Sequence, residues 1–165
     1  MSRIKKIVFA ALAAAALTGA AGAVHLDRPV QGSSRVSAGI QSSSAAGEVV
    51  RLTNSAGSQI GYAALVEDGA LSEAAAVRAR EIARSFSHTR PSGASFSSAL
   101  SESGVSYLRA GENIASGQKS ASEVVNAWMN SPGHRANILN SSYSRIGSAS
   151  VNIDGTLYWV QLFAD

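Results

Sequence analysis

The sequence contains no cysteine among its 165 residues. Disulfide bonds, cysteine nucleophiles, thiolate metal sites and a lipid-modified cysteine anchor are therefore excluded. A folded domain in this chain has to be stabilised by an apolar core or by a metal ion bound through other side chains. The length is that of one domain of ordinary size, since single cores run to roughly 100 to 200 residues.

Histidine is almost as scarce, with three residues in the chain. His25 lies in a segment rich in Ser and Gly, so imidazole chemistry in a folded domain has to come from His88 and His134. No Gly-x-Ser-x-Gly nucleophile motif and no phosphate-binding Gly-rich loop is present. A Ser-His-Glu hydrolase stays open as an alternative, but serine is too common here for its proximity to a histidine to favour one.

Residues 1–23 are predicted to be a secretory signal peptide. A basic stretch precedes an apolar run of about 15 residues, which ends in the small residues Ala21-Gly22-Ala23. The alternative is an uncleaved membrane anchor, but a membrane span needs roughly 20 apolar residues. We therefore expect cleavage after Ala23, a secreted protein and no stable membrane insertion. An exported chain without disulfides is more typical of bacteria than of eukaryotes.

Removal of this segment leaves almost no net charge. All 11 acidic residues lie beyond residue 23, whereas three of the 14 basic residues lie within the segment. No cluster of Lys or Arg remains in the rest of the chain. The composition therefore gives no reason to expect nucleic acid or an anionic membrane as a partner.

Residues 24–46 are rich in Ser, Gly and Gln and are predicted to be a flexible linker, so the folded domain is expected over 47–165. Apolar spacing predicts helices over about 47–60, 71–86, 96–103 and 120–131. The last of these starts with a capping box, Ser120 to Glu123. In the second, the apolar stripe leaves Arg78 on another face.

The C-terminal part has the pattern of a β-hairpin. Residues 146–153 and 156–164 flank Asp154-Gly155, which suits a tight type I′ turn. Apolar residues on both faces of the second arm predict a strand that is covered on both sides. Helices followed by strands indicate an α+β fold with helices packed over an antiparallel sheet. Residues 111–118 are predicted to be a loop.

The candidate site is a His/Glu cluster formed by His88, Glu112 and His134. Each lies in a predicted turn or at a predicted helix end, where side chains can converge on a cleft. Purely structural roles remain as alternatives: His88 can cap a helix C-terminus, Glu112 can hold its loop through backbone N–H groups, and His134 can be a structural hydrogen-bonding residue. Trp128 and Trp159 are predicted to be core aromatics.

Four motifs together resemble the bacterial branch of the CAP superfamily, which includes cysteine-rich secretory proteins, antigen 5 and pathogenesis-related proteins. In chain order these motifs are SHTRPSG, GENIASG, VVNAWMNSPGHRANIL and YWVQLFA, and the resemblance covers about 48–165. It implies a three-layer α-β-α sandwich with a cleft of two His and two Glu that can take a divalent metal such as zinc. His88, Glu112 and His134 match three members of this tetrad.

The fourth member of the tetrad is missing. The matching stretch, Trp128-Met129-Asn130-Ser131, carries no acid, and Asn130 is the residue that could supply a neutral oxygen to the cleft. His88, Glu112 and His134 would give zinc three ligands and leave one position for water or substrate. The resemblance therefore implies a metal site that is weaker than a complete tetrad.

The leading hypothesis is a secreted binding module whose cleft is a vestigial or conditional metal site. Its ligand would be an extracellular protein, peptide, lipid or cell-wall component. One alternative is a metal-assisted hydrolase of peptide or ester bonds, with Glu112 as the base. Another is lipid or sterol carriage, which some members of the superfamily perform.

Overall fold

A computed structural model describes residues 44–165. The predicted signal peptide, 1–23, lies outside the described residues, as does the predicted linker up to residue 43. The first helix begins at Ala45, two residues before the expected start at Gly47. No helix within residues 44–165 is long and apolar enough to cross a membrane.

Helices and strands alternate irregularly along the described chain. In chain order they are α1 (Ala45–Ser58), β1 (Val66–Glu67), α2 (Gly69–Arg84), α3 (Ser97–Glu102), β2 (Ala110–Ser116), α4 (Ala121–Met129), α5 (Pro132–Ile138), β3 (Arg145–Ile153) and β4 (Thr156–Ala164). The four predicted helices correspond to α1 to α4. The content of helix and strand confirms the α+β class.

Side-chain caps fix where α1, α2 and α4 begin, the first of them through Ser44, whose hydroxyl accepts from the N–H of Gly47. Asp68 precedes α2, and one of its carboxylate oxygens accepts hydrogen bonds from the N–H groups of Ala70 and Leu71, at 2.8 and 3.1 Å. Ser120 caps α4 by accepting from the N–H of Glu123 at 3.2 Å, as the capping-box pattern predicted. These bonds satisfy N–H groups that have no partner inside the helix.

The four strands form one sheet in the order β1-β3-β4-β2. The hairpin of β3 and β4 is confirmed, and its turn residues Asp154 and Gly155 have the positive φ angles of 51° and 78° that a type I′ turn requires. β2 is antiparallel to β4, but β1 is parallel to β3. The prediction of an antiparallel sheet is therefore wrong at β1, because the chain returns from β1 to β3 through intervening helices rather than through a hairpin.

The segment 111–118 was predicted to be a loop, and most of it is strand β2. This strand is buried along most of its length even though it carries Glu112 and Asn113. Both polar side chains have buried hydrogen-bond partners, so burial does not leave them unsatisfied. The strand lacks the apolar alternation that marks a strand in a sequence, and this explains the missed assignment.

Two apolar clusters lie on the two faces of β4, whose side chains alternate between them. Val160 and Leu162 pack in the cluster that contains residues of α2 and α3. Trp159 and Phe163 pack in the cluster that contains residues of α1 and α4, including Trp128. The structure confirms that β4 is covered on both sides and that both tryptophans are core residues. Each fully buried side chain of this size contributes roughly 1.5 to 3 kcal/mol.

Candidate functional site

Glu112 and Arg78 form a buried ion pair at the centre of the site. Glu112 lies on β2 and Arg78 on α2, and their side chains are 1% and 0% exposed. Arg78 Nε donates to Glu112 Oε2 at 2.7 Å, and Nη2 donates to Oε1 at 3.2 Å. The two-point geometry satisfies both oxygens of the carboxylate and compensates its burial.

His88 contacts the same carboxylate from outside. Its Nδ1 lies 2.8 Å from Glu112 Oε1, and the imidazole is 56% exposed. Because a carboxylate accepts, Nδ1 carries the hydrogen of this bond, and Nε2 is left for other interactions. Glu112 thus orients the ring of His88 and fixes which of its nitrogens is available.

A chain of ion pairs continues from Arg78 along the surface of α2. Arg78 Nη1 donates to Glu81, which also accepts from Arg90, and Arg90 in turn donates to Glu102. Burial alone would raise the pKa of Glu81, but the hydrogen bonds from Arg90 and Arg78 hold that pKa below its ordinary value. This network fixes the loop that carries His88 to the helix.

His134 lies on α5 and is partly buried. Burial lowers the pKa of His134, and the neighbouring His88 lowers it further, so its imidazole is neutral at neutral pH. Its backbone carbonyl accepts from Asn113 Nδ2 at 3.2 Å. The structure therefore brings His134 into the electrostatic environment of His88 and attaches its helix to β2.

Amide side chains join α5 to β2 and β4. Asn137 Nδ2 donates to Asn113 Oδ1 at 2.9 Å, and Asn113 Nδ2 donates to Gln161 Oε1 at 3.0 Å. Gln161 Nε2 then donates to Thr53 Oγ1 on α1 at 2.6 Å. Asn113, Gln161 and Thr53 are all buried, so this network fixes two helices, α1 and α5, and two strands, β2 and β4, around the site.

A groove of about 370 Å³ opens beside His134. Its walls include Phe86, which is 54% exposed, and Trp128, which is buried. The end of β2 and the following turn complete the lining through Ser116 and Gln118. A concave, mainly apolar surface next to a small number of polar groups is typical of ligand sites.

Asn130 is placed differently from the other predicted site residues. It caps the C-terminus of α4, and its Nδ2 donates to the backbone oxygen and to Oδ1 of Asn126, at 2.9 and 3.2 Å. Within the described part of the chain, no hydrogen bond connects Asn130 to His88, Glu112 or His134. The role of Asn130 as an oxygen ligand in the cleft therefore stays a prediction.

The predicted metal ligands do not fit a three-ligand zinc site as they lie. Both oxygens of Glu112 already accept hydrogen bonds from Arg78 or His88, and the guanidinium places a positive charge beside any cation bound there. Among residues 44–165, no group of three or more His, Asp or Glu side chains is arranged to hold a metal ion. The zinc site implied by the resemblance therefore stays a prediction.

Arg78 is the site residue that the sequence reading missed. It was assigned to a face away from the apolar stripe of α2, but the structure buries it completely. The spacing along α2 indicates this inward position. Arg78 lies four residues after Ala74 and four before Ile82, so it shares a helix face with two buried residues. The amides of Asn113, Asn137 and Gln161 carried no comparable signal, because isolated amides in a sequence are usually exposed.

Comparisons with known proteins agree with the motifs. The family model of CAP, the Cysteine-rich secretory protein family, matches residues 50–163. The Bacillus subtilis (strain 168) protein YkwD is 42% identical over 118 residues, which are 70% of this chain and 45% of that protein. The membrane protein YlbC of the same organism is 33% identical over 113 residues, 67% of this chain and 32% of that protein. The chain thus spans less than half the length of these curated relatives.

Solved structures share the fold. A Bacillus anthracis extracellular protein containing an SCP domain has a TM-score of 0.66 and 26% identity, covering 73% of this chain and 40% of that one. An outer surface protein from Borrelia burgdorferi has a TM-score of 0.66 and 25% identity, covering 71% and 89%. The resemblance drawn from the motifs is confirmed, and the chain belongs to the CAP family of cysteine-rich secretory proteins, although it contains no cysteine itself.

Proposed function

We propose that the protein is an exported binding module, and that the groove beside His134, together with His88, receives its ligand. The observation that carries the proposal is that Glu112 is engaged by Arg78 and His88, while His134 faces an open, mainly apolar groove. The site is thus arranged to hold a ligand by shape and hydrogen bonding rather than by a strong charge.

Two further points support export and the family architecture. Residues 1–23 have the pattern of a signal peptide, and the similar solved proteins are described as an extracellular protein and an outer surface protein. We further infer that the two clusters on β4 are the two interlayer cores of the family's α-β-α sandwich.

Zinc is not required by this proposal. With Glu112 paired to Arg78, a zinc ion would depend on the imidazoles of His88 and His134 and would keep its remaining positions for water. Equilibrium dialysis of the purified protein against zinc, with His88→Ala and His134→Ala as variants, tests this. We expect weak binding that both variants abolish. Tight zinc binding that persists in both variants would show that the two histidines are not zinc ligands.

Ligand binding is tested on ¹⁵N-labelled protein purified from an exporting bacterial host. Mass spectrometry should show cleavage after Ala23, and a library of peptides, glycans and lipids should shift the amide signals around His88 and His134. His134→Ala should weaken the response, whereas Lys119→Ala, an exposed change outside the groove lining, should leave it unchanged. A chain that stays uncleaved, or ligands that shift only residues remote from the groove, would refute the proposal.

One observation favours a hydrolase as a second candidate. Glu112 fixes Nδ1 of His88 and leaves Nε2 available, which is the arrangement of a carboxylate-oriented general base. The base would then be His88 rather than Glu112, whose carboxylate is paired with Arg78. Cleavage of peptide or ester libraries that is insensitive to chelators and lost in His88→Ala would support this candidate. Chelator-sensitive cleavage lost in Glu112→Gln would instead support the metal-assisted form.

A further inference from the structure

Within residues 44–165, β2 pairs with β4 alone, so its other side is an edge of the sheet. The N–H of Gly117, which follows β2, donates to Leu157 O beside β4, so odd-numbered residues here direct their backbone groups towards β4. Glu112, Ile114 and Ser116 therefore direct theirs outward, by the alternation of an antiparallel ladder.

Side chains cover part of this edge. Asn137 Nδ2 donates to the carbonyl oxygen of Glu112, and Trp128 Nε1 donates to that of Ile114, both at 3.2 Å. The edge is left open at Ser116, which is exposed and lies in the lining of the groove. Within residues 44–165 the backbone N–H and C=O of Ser116 have no hydrogen-bond partner. The N–H and C=O of Ser116 are thus both available at the groove to pair with one residue of an added strand.

Gln118 adds an acceptor to the same groove. Its Oε1 is buried and, among the described residues, has no hydrogen-bond partner. Its backbone oxygen accepts from Trp159 Nε1 at 3.0 Å, which holds the residue in place. A buried acceptor without a partner is destabilising, so a ligand whose N–H donor meets this oxygen after the side chain turns towards the groove gains binding energy.

The other residues that line the groove indicate which kind of ligand could carry this N–H donor. Phe86 and Ala127 provide exposed apolar surface beside the imidazole of His134. Of the residues that the structure describes, no Asp, Glu, Lys or Arg lines the groove. The ligand therefore combines backbone-like donors and acceptors with uncharged apolar groups, which is the chemistry of an extended peptide with apolar side chains.

We propose that the groove binds a short extended peptide, which adds to the outer edge of β2 by pairing with Ser116 and donates an N–H to Gln118 Oε1. This inference rests on the proposed binding function and names the ligand class of that same groove. The side chains of the peptide alternate, so that one apolar side chain lies against Phe86 and Ala127. Free glycans and lipids lack the regular N–H and C=O spacing that this pairing needs.

The test uses a five-residue peptide of alternating Ala and Phe, acetylated and amidated at its ends, titrated into the ¹⁵N-labelled protein. The expected result is a downfield shift of the Ser116 amide proton on binding. A control peptide carries N-methyl groups on the same residues, which removes its N–H donors. Its affinity should be lower by about tenfold, the value of one to two hydrogen bonds.

Two matched pairs of variants locate the contact. Ser116→Pro removes the outward N–H, which an edge strand tolerates, and should abolish the Ser116 contact, while the exposed Lys119→Ala outside the groove lining should retain wild-type affinity. Gln118→Leu should weaken binding by about fivefold, as expected for the loss of one hydrogen bond, whereas the exposed Gln59→Leu should have no effect. Gln118→Leu keeps the test decisive if Ser116→Pro does not fold.

Equal affinity for the N-methylated peptide, or wild-type affinity in both Ser116→Pro and Gln118→Leu, would overturn the inference. If peptides fail but glycans or lipids still shift the signals around His134, the peptide inference falls and the proposed binding function stands. If no library shifts those signals, both fall.

Discussion

Arg78 and Glu112 are 34 positions apart in the chain, yet the structure joins them by two hydrogen bonds in the protein interior. The guanidinium also donates to Glu81 and to the backbone oxygen of Ser87, so one arginine links β2, α2 and the segment that leads to His88. The geometry of the His/Glu site therefore depends on a residue that belongs to none of the family motifs quoted above.

Replacing Arg78 by Met should destabilise the fold by about 3 to 5 kcal/mol, because the substitution leaves the buried carboxylate of Glu112 without its cation. The measurement is the free energy of unfolding in urea at neutral pH. The exposed Arg80 lies on the same helix, and Arg80→Met should change stability by less than about 0.5 kcal/mol.

The double variant Arg78→Met/Glu112→Leu separates the ion pair from simple packing. Removal of both charges should recover most of the loss, since a buried pair replaced by apolar residues is often close to neutral. Stability of the double variant equal to the sum of the two single losses would show that the two side chains do not act as a pair.

His134 should titrate below 6.5, the ordinary value for its side chain. Burial lowers its pKa, and the charge of His88 lowers it further, so His88→Ala should raise the pKa of His134 part of the way back. The unfolded chain then binds this proton more readily than the native one. Because of His134, the free energy of unfolding should therefore decrease as the pH falls through about 6.5. Above neutrality, His134 should not lower the free energy of unfolding in this way.

Imidazole carbon shifts of ¹³C-labelled His134, recorded from pH 8 to pH 4, measure this pKa directly. His134→Gln should flatten the pH dependence of stability around pH 6. A pKa of His134 above 6.5, or one that falls in His88→Ala, would contradict the electrostatic account.

The sequence predicted the elements whose apolar spacing is regular, and it missed those that depend on distant partners. Helix periodicity located α1 to α4, and the Asp154-Gly155 pair located the hairpin. β1 is two residues long and carries no periodic signal, so the parallel pairing could not be foreseen. The helix predicted over 120–131 ends as α4 at Met129, and Pro132 starts a further helix, α5, at the first helical position, where proline is favoured.

The candidate site shows the same division. The motifs grouped His88 with Glu112, and the two side chains are in contact. The charge state of the cluster could not be foreseen, because it depends on Arg78, whose interior position follows from the packing of α2 on the sheet. Asn130 was grouped with the cleft from its place in the motif, but its amide bonds back to its own helix.

Replacing Thr53 by Val should destabilise the protein by about 1 to 3 kcal/mol, although the two side chains have nearly the same shape. Valine cannot accept the hydrogen bond from Gln161 Nε2. This nitrogen would then be a buried donor without a partner, which is destabilising. Urea unfolding measures the loss. The exposed Ser55→Ala on the same helix serves as the control and should stay within about 0.5 kcal/mol of the wild type. A neutral Thr53→Val would show that the amide network does not stabilise the site.

Gly147→Ala should be more disruptive than its size suggests, because α2 lies directly on β3 at this position. A Cβ on Gly147 would clash with the carbonyl carbon of Leu71 and the backbone N of Ser72, and backbone atoms cannot rotate away as a side chain can. Overpacking of this kind costs about 1 to 3 kcal/mol or more. Gly69→Ala near the start of the same helix meets no atom within 4 Å and should be neutral or slightly stabilising. Thermal unfolding of both variants gives the comparison.

Because α2 carries Arg78, a shift of the helix in Gly147→Ala should also broaden or move the imidazole signals of His88. Unchanged His88 signals together with unchanged stability would show that α2 does not pack on β3 this closely.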